Sequence, residues 1–178
     1  MRFTMRLALP VVAPLTRRVL PYVGALFALT ACLGGDVTSV PNIPSNPAVE
    51  TYASSTGVVI ANMTRANDNL FTQETLVGTG KAAATGDSVF MRYTGRLVNG
   101  NVFDTNVNNG KAVLAFVLGA GQVITGWDMG LVGLKVGGKR KLVIGSTLAY
   151  ANRSPDPSVI PQNSTLVFDV ELINAKTP

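Results

Sequence analysis

Histidine is absent from this 178-residue chain, and cysteine occurs once, as Cys32. No imidazole base, Ser-His-Asp triad or His-ligated metal can therefore be built, and an internal disulfide or a cysteine-cluster zinc site is equally excluded. Charge is sparse at 14% of residues. No acid pair or Cys/His cluster has ligand spacing, and no glycine-rich loop ends in the Gly-Lys-Ser/Thr that cradles phosphate, so no cofactor is expected. The net charge of +5 is concentrated at one end: Arg2, Arg6, Arg17 and Arg18 precede any acid, and without them 11 basic residues face 10 acidic ones. A near-neutral body has no electrostatic footprint for nucleic acid. What is abundant is apolar and turn-forming, with 47% hydrophobic residues, 18 Gly and 10 Pro. That composition suits one turn-rich domain with tails, most simply a monomer.

The start of the chain reads as an address. Arginines come first, then an apolar run over residues 19–31; a bilayer span needs about 20 apolar residues, whereas a secretory signal needs about 7 to 15. The run ends in Leu29-Thr30-Ala31-Cys32, which resembles the lipobox of bacterial lipoproteins, cut before a cysteine that becomes lipid-modified. The resemblance implies a signal over 1–31 and acyl chains on Cys32, each anchoring by about 0.8 kcal/mol per buried CH2. The other reading is an incidental small cysteine. Leu33, in place of an Asp, implies the periplasmic face of the outer membrane. Thr16-Arg17-Arg18-Val19-Leu20 faintly resembles a twin-arginine signal, although a plain charged region explains it too. Pro41, Pro44 and Pro47 among Gly, Ser and Asn mark residues 32–56 as a semi-extended tether without a core of its own. Three Asn-x-Ser/Thr matches, at Asn62, Asn152 and Asn163, read as surface turns.

From residue 57 onward the pattern has period two, the mark of half-buried strands. Val89, Met91 and Tyr93 share a face. Leu166, Phe168, Val170 and Leu172 alternate with Thr165, Val167, Asp169 and Glu171, which predicts an antiparallel strand with one face on a core. Residues 113–118 and 139–144 are further strand candidates, with Lys139-Arg140-Lys141 as a solvated strand start. One helix is expected, over 125–134: Trp127, Leu131 and Leu134 share a face, and Thr125 is placed as N-cap with Asp128 in the first turn. Gly78-Thr79-Gly80, Asn99-Gly100 and Asn109-Gly110 read as turns. The class is α+β, an antiparallel sheet curled around one short helix. Whether residues 57–67, with Val58-Val59-Ile60, add a strand is left open by the pattern.

The order of the motifs is more specific than their spacing. Tyr93-Thr94-Gly95, Phe103-Asp104, Phe116, Val123-Ile124-Thr125-Gly126-Trp127-Asp128, Ala149-Tyr150, Ile160-Pro161 and Leu166-Val167-Phe168-Asp169-Val170-Glu171-Leu172 resemble the FKBP-type peptidyl-prolyl cis-trans isomerases. The resemblance runs from about residue 70 to 175 and implies about five strands wrapped round a short helix. It also implies a reaction that suits the inventory. Rotation about an X-Pro bond faces about 18 to 20 kcal/mol but makes and breaks no bond, so neither nucleophile, metal nor cofactor is needed.

Carried onto this chain, the resemblance implies Trp127 as the floor of a proline pocket, with Tyr93, Phe116, Val123 and Phe168 as walls. Ile124 would offer its backbone N–H and Tyr150 its hydroxyl to substrate carbonyls, Phe103 and Asp104 would line the entrance, and Ile160 would close the pocket from loop 151–161. Departures sit at the entrance: Asn108-Asn109-Gly110 stands where many relatives have Arg beside the entrance Asp, and Leu114 replaces an aromatic. Asp104 is accordingly expected to lack its cationic neighbour, and loop 151–161 differs from the commoner Gly-rich version. The implied partners are proline-containing polypeptides of the cell envelope, with an apolar residue before proline, and macrolide inhibitors of the family. A different class, a non-catalytic peptide-binding or chaperone module using the same pocket, fits the same residues.

Overall fold

A computed structural model describes residues 43–178; the signal over 1–31, Cys32 and the tether as far as residue 42 lie outside them. The described residues form seven strands in one antiparallel sheet and one α-helix: β1 (Thr64–Asn67), β2 (Leu70–Leu76), β3 (Ser88–Leu97), β4 (Val102–Thr105), β5 (Leu114–Val117), α1 (Thr125–Gly130), β6 (Lys139–Ile144) and β7 (Leu166–Lys176). The strand order is β1-β2-β6-β7-β3-β4, and β5 also lies along β3. The short strands β1, at one edge, and β5, along β3, bring the sheet from the five strands expected to seven. β1 settles the open question about residues 57–67: Ile60–Asn62 is a 3-10 turn, and Thr64–Asn67 pairs with β2.

Period-two alternation gives the sheet its inner face. Leu70, Val89, Met91, Leu142, Ile144, Leu166, Phe168, Val170 and Leu172 are buried together with Trp127 of α1 and with Leu131 and Leu134 of the turn that follows it. The helix lies close on β6 because Gly126 has no side chain: a Cβ there would collide with that of Ile144. Thr125 is not the N-cap. Ile124 holds that position in an extended conformation with no side-chain cap, and the helix ends at Gly130. The Asp128 carboxylate instead accepts the Gly119 and Gly121 N–H groups at 2.8 and 3.0 Å, pinning the preceding loop.

Two sequence expectations fail on the outer face. Val167, assigned to the solvent side, is buried with Phe71 and Val143 beneath Tyr52, Val58, Ile60 and Met63. Lys141, read as part of a solvated start, is only 7% exposed, and its ammonium donates to the Thr56 carbonyl at 2.6 Å and pairs with Asp169. Both follow from a third difference. Residues 45–56 are no free tether but a strap on the domain, tied by Ala53 N–H to Val98 O at 2.8 Å, Thr165 Oγ1 to Glu50 Oε1 at 2.6 Å, and Ser45 to Ser146. Proline and serine composition hid this, because backbone and hydroxyl anchors leave no hydrophobic period.

Candidate functional site

A pocket of about 270 Å3 opens where the inner face of the sheet meets the start of α1. It is lined by Tyr93, Phe103, Asp104, Leu114, Gln122, Val123, Ile124, Trp127, Tyr150 and Phe168. Four of its five rings come from regular elements: β3 supplies Tyr93, β4 Phe103, α1 Trp127 and β7 Phe168. They pack edge to face, with Trp127 5.2 Å from both Tyr93 and Phe168 at 84° and 86°, and Phe103 5.5 Å from Phe168 at 88°. This geometry fixes each ring by its neighbours and keeps water from the floor. Trp127 is 3% exposed, and its indole N–H finds no acceptor among the described residues.

Eight of the ten residues expected at the site line this pocket. Phe116 and Ile160 do not. Both are 6% exposed in the hydrophobic core; Phe116 backs Trp127 from within, at 5.9 Å. Ile160 is held inside by its N–H on Asp156 O at 2.8 Å, and its carbonyl accepts from Ser154 Oγ. Leu114, noted in the sequence as a departure, is on the wall. Gln122 was missed; its Oε1 accepts the Val117 N–H at 2.9 Å, tying the loop before α1 to β5. No periodic signal marks such a loop residue.

The entrance is charged differently from the expectation. Asp104 does have a cationic neighbour: Lys111 Nζ lies 2.9 Å from its Oδ1, while Oδ2 accepts the Tyr93 hydroxyl. Asn106 makes this possible. Buried at 3% exposure, it accepts Tyr93 N–H at 2.8 Å and donates to Met91 O and Ala112 O, so the 106–112 loop folds back over β3. Arg92 clasps the same loop through Asn106 O and Lys111 O, at 2.6 and 2.7 Å. Besides the Trp127 indole, two further donors of the lining are unengaged: no described residue accepts the Ile124 N–H or bonds the Tyr150 hydroxyl.

Burial alone would raise the Asp104 carboxyl, but the hydrogen bonds from Tyr93 and Lys111 outweigh it and hold it below the usual carboxylate value. Burial raises both the Tyr93 and the Tyr150 phenols, followed for Tyr93 by its hydrogen bond to Asp104 and for Tyr150 by the nearby Asp104 charge. With no histidine present, none of these pocket groups changes charge between about pH 5 and pH 9. The rate of any reaction that this pocket governs is therefore expected to be flat across that window once the ligand's own titration is subtracted. An inflection near neutrality would mean that an ionisation governs the step. Because Asp104 is lowered on folding, its contribution to stability is present above the unfolded carboxylate pKa of about 3.9 and is lost as pH falls through the lower folded value.

Residues 79–173 match the family model for FKBP-type peptidyl-prolyl cis-trans isomerase. The chain belongs to that family. Similar proteins include the peptidyl-prolyl cis-trans isomerase FPR2 of Saccharomyces cerevisiae, 51% identical over 53% of this chain and 70% of that one. FK506-binding protein 4 of Rhizopus delemar is 47% identical over 64% of this chain, which spans only 29% of that longer protein. Among solved structures, FkpA from Escherichia coli aligns with a TM-score of 0.59 at 40% identity, over 65% of this chain and 52% of that one. The matched segment holds β3 to β6, most of β7, the helix and every residue that lines the pocket. Residues 43–78, including the strap and β1 and β2, lie before the matched segment.

Among the described residues, no group of His, Cys, Asp and Glu is placed to hold a metal ion, and no helix is long and apolar enough to cross a membrane.

Proposed function

We propose that this chain accelerates cis/trans rotation about X-Pro bonds in exported polypeptides, working in the cell envelope from a lipid anchor on Cys32. The observation that carries the enzymatic part is an aromatic pocket with the Ile124 N–H and the Tyr150 hydroxyl unengaged on its lining. A planar amide is more charge-separated than the twisted transition state, because resonance moves charge from nitrogen to oxygen. Seating the proline ring against Trp127, Tyr93 and Phe168 removes water from the more dipolar ground state and favours the twisted form. Ile124 N–H and Tyr150 O–H would hold the substrate carbonyls while the prolyl nitrogen side turns, so binding energy is used on orientation rather than on proton transfer. Leu114 and Val123 on the wall support a preference for an apolar residue before proline.

Magnetisation-exchange NMR on an Ala-Leu-Pro-Phe peptide with the full chain tests the activity without a coupling protease. Exchange faster than in the free peptide is expected; peptide that binds but exchanges at the free rate would leave a binding module in place of an enzyme. The anchor rests on Leu29-Thr30-Ala31-Cys32 and has its own test. Mass spectrometry of the protein from a bacterial membrane fraction should find the chain starting at a lipid-modified Cys32, and an intact thiol there would refute it.

A further inference from the structure

Tyr150 stands on a turn in which one carbonyl takes the amides on both sides of it. Ser146 opens the 3-10 turn Ser146–Leu148, and its C=O accepts the N–H groups of Ala149 at 3.0 Å and Ala151 at 2.8 Å, the two residues flanking Tyr150. Ala151 has φ +50°, a conformation that a non-glycine residue keeps only where its surroundings over-determine it. The constraint comes from outside the turn. Ser146 is fully buried and is gripped reciprocally by Ser45: the Ser146 N–H donates to Ser45 Oγ at 2.9 Å, and the Ser45 N–H donates to Ser146 Oγ at 3.1 Å. One residue earlier, Pro47 presses on the backbone, since a Cβ at Gly145 would lie 3.0 Å from its Cγ and Cδ. Tyr52 fixes Pro47 in turn by donating its hydroxyl to the Pro47 carbonyl at 2.7 Å.

We propose that Ser45, backed by Pro47, is a positioning residue for the pocket: through Ser146 it holds the turn that presents the Tyr150 hydroxyl to substrate. Ser45 touches no substrate. It belongs to a strap 101 residues away from Ser146 in sequence, outside the segment that matches the family model. The inference rests on the isomerase reading of the pocket. It separates the strap into two duties, covering the outer face of the sheet and setting one side chain of the site.

Ser45→Ala removes the acceptor of the buried Ser146 N–H and leaves the Ser45 N–H in place. The full chain, Ser45→Ala, Tyr150→Phe and the double variant are compared in peptide exchange, each well below its unfolding midpoint. Ser45→Ala is expected to lower kcat/KM about fivefold, chiefly in kcat, with less than about twofold further loss when Tyr150 is already Phe. Ser45→Thr, which keeps the hydroxyl, should restore the rate. Equal losses in both backgrounds, or none, would overturn the proposal, because a purely structural effect would not depend on the Tyr150 hydroxyl. A second readout is independent of catalysis. Ser45→Ala should shift the Tyr150 ring resonances and speed hydrogen exchange at the Ala151 amide; unchanged resonances and protection would overturn the proposal even if the unaltered chain proved inactive as an isomerase.

Discussion

Trp127→Ala should lower kcat/KM for X-Pro exchange about a hundredfold, the scale expected when a reacting group loses its seat by about 1 Å. Three rings rest on Trp127: Tyr93 and Phe168 edge-on at 5.2 Å and Phe116 at 5.9 Å. Removing the indole leaves a hole that these rings can fill only in part, and it readmits water to the place where the proline ring must lie. The same truncation should cost about 3 to 5 kcal/mol of stability, as for other buried large-to-alanine changes. Exchange rates must therefore be measured at a temperature where near-UV circular dichroism shows the variant folded. Trp127→Phe, which keeps an apolar ring, should recover most of the stability and only part of the rate. A folded Trp127→Ala variant with undiminished kcat/KM would mean that the pocket is not where rotation occurs.

A chain beginning at residue 58 should be less stable than the chain from residue 43 by about 3 to 6 kcal/mol, a large share of the roughly 5 to 15 kcal/mol available to a domain. The estimate comes from what the strap covers and pairs. Without it, Phe71, Val143 and Val167 lose the cover of Tyr52, the Lys141 ammonium loses the Thr56 carbonyl, and the Thr165 hydroxyl and Ser146 N–H lose Glu50 and Ser45. Each buried polar group left unpaired costs about 1 to 3 kcal/mol, moderated here by new access to water. Urea unfolding of the two chains measures the difference; coincident midpoints would show that the strap adds nothing to the fold.

The contrast between β7 and the strap shows what the sequence made legible. Alternation from Leu166 to Leu172 located a strand and its inner face, because burial on one side of a pleated strand imposes period two. The same alternation was silent about Val167, whose cover depends on Tyr52 and Met63 returning across the sheet from far away in sequence. Asp104 taught a similar lesson. Reading Asn108-Asn109-Gly110 as a vacancy missed Lys111, which reaches the carboxylate because Asn108 at φ +52° and Gly110 at φ +74° turn the loop back. The aromatic pocket itself came from the order of family motifs rather than from periodicity, since isolated rings on strands look alike whether they line a cavity or fill a core. Phe116 and Ile160, motif residues that the fold buries in the core, do not line the pocket themselves.

The pairing of β3 with β7 has a consequence for how the molecule is made. These neighbours run side by side from Leu97 opposite Leu166 to Ser88 opposite Lys176, and β7 also bonds β6 along its other edge. The strand in the middle of the sheet is thus the one that follows all the others in sequence. While it is missing, β3 and β6 each present an open edge and an apolar face, and Trp127 has no Phe168 to pack against. Contacts of such long sequence separation slow folding, and unpaired edges invite association with other chains. A nascent chain is accordingly committed to waiting: the wall that Phe168 gives the pocket and the closure of the sheet both arrive with its last strand.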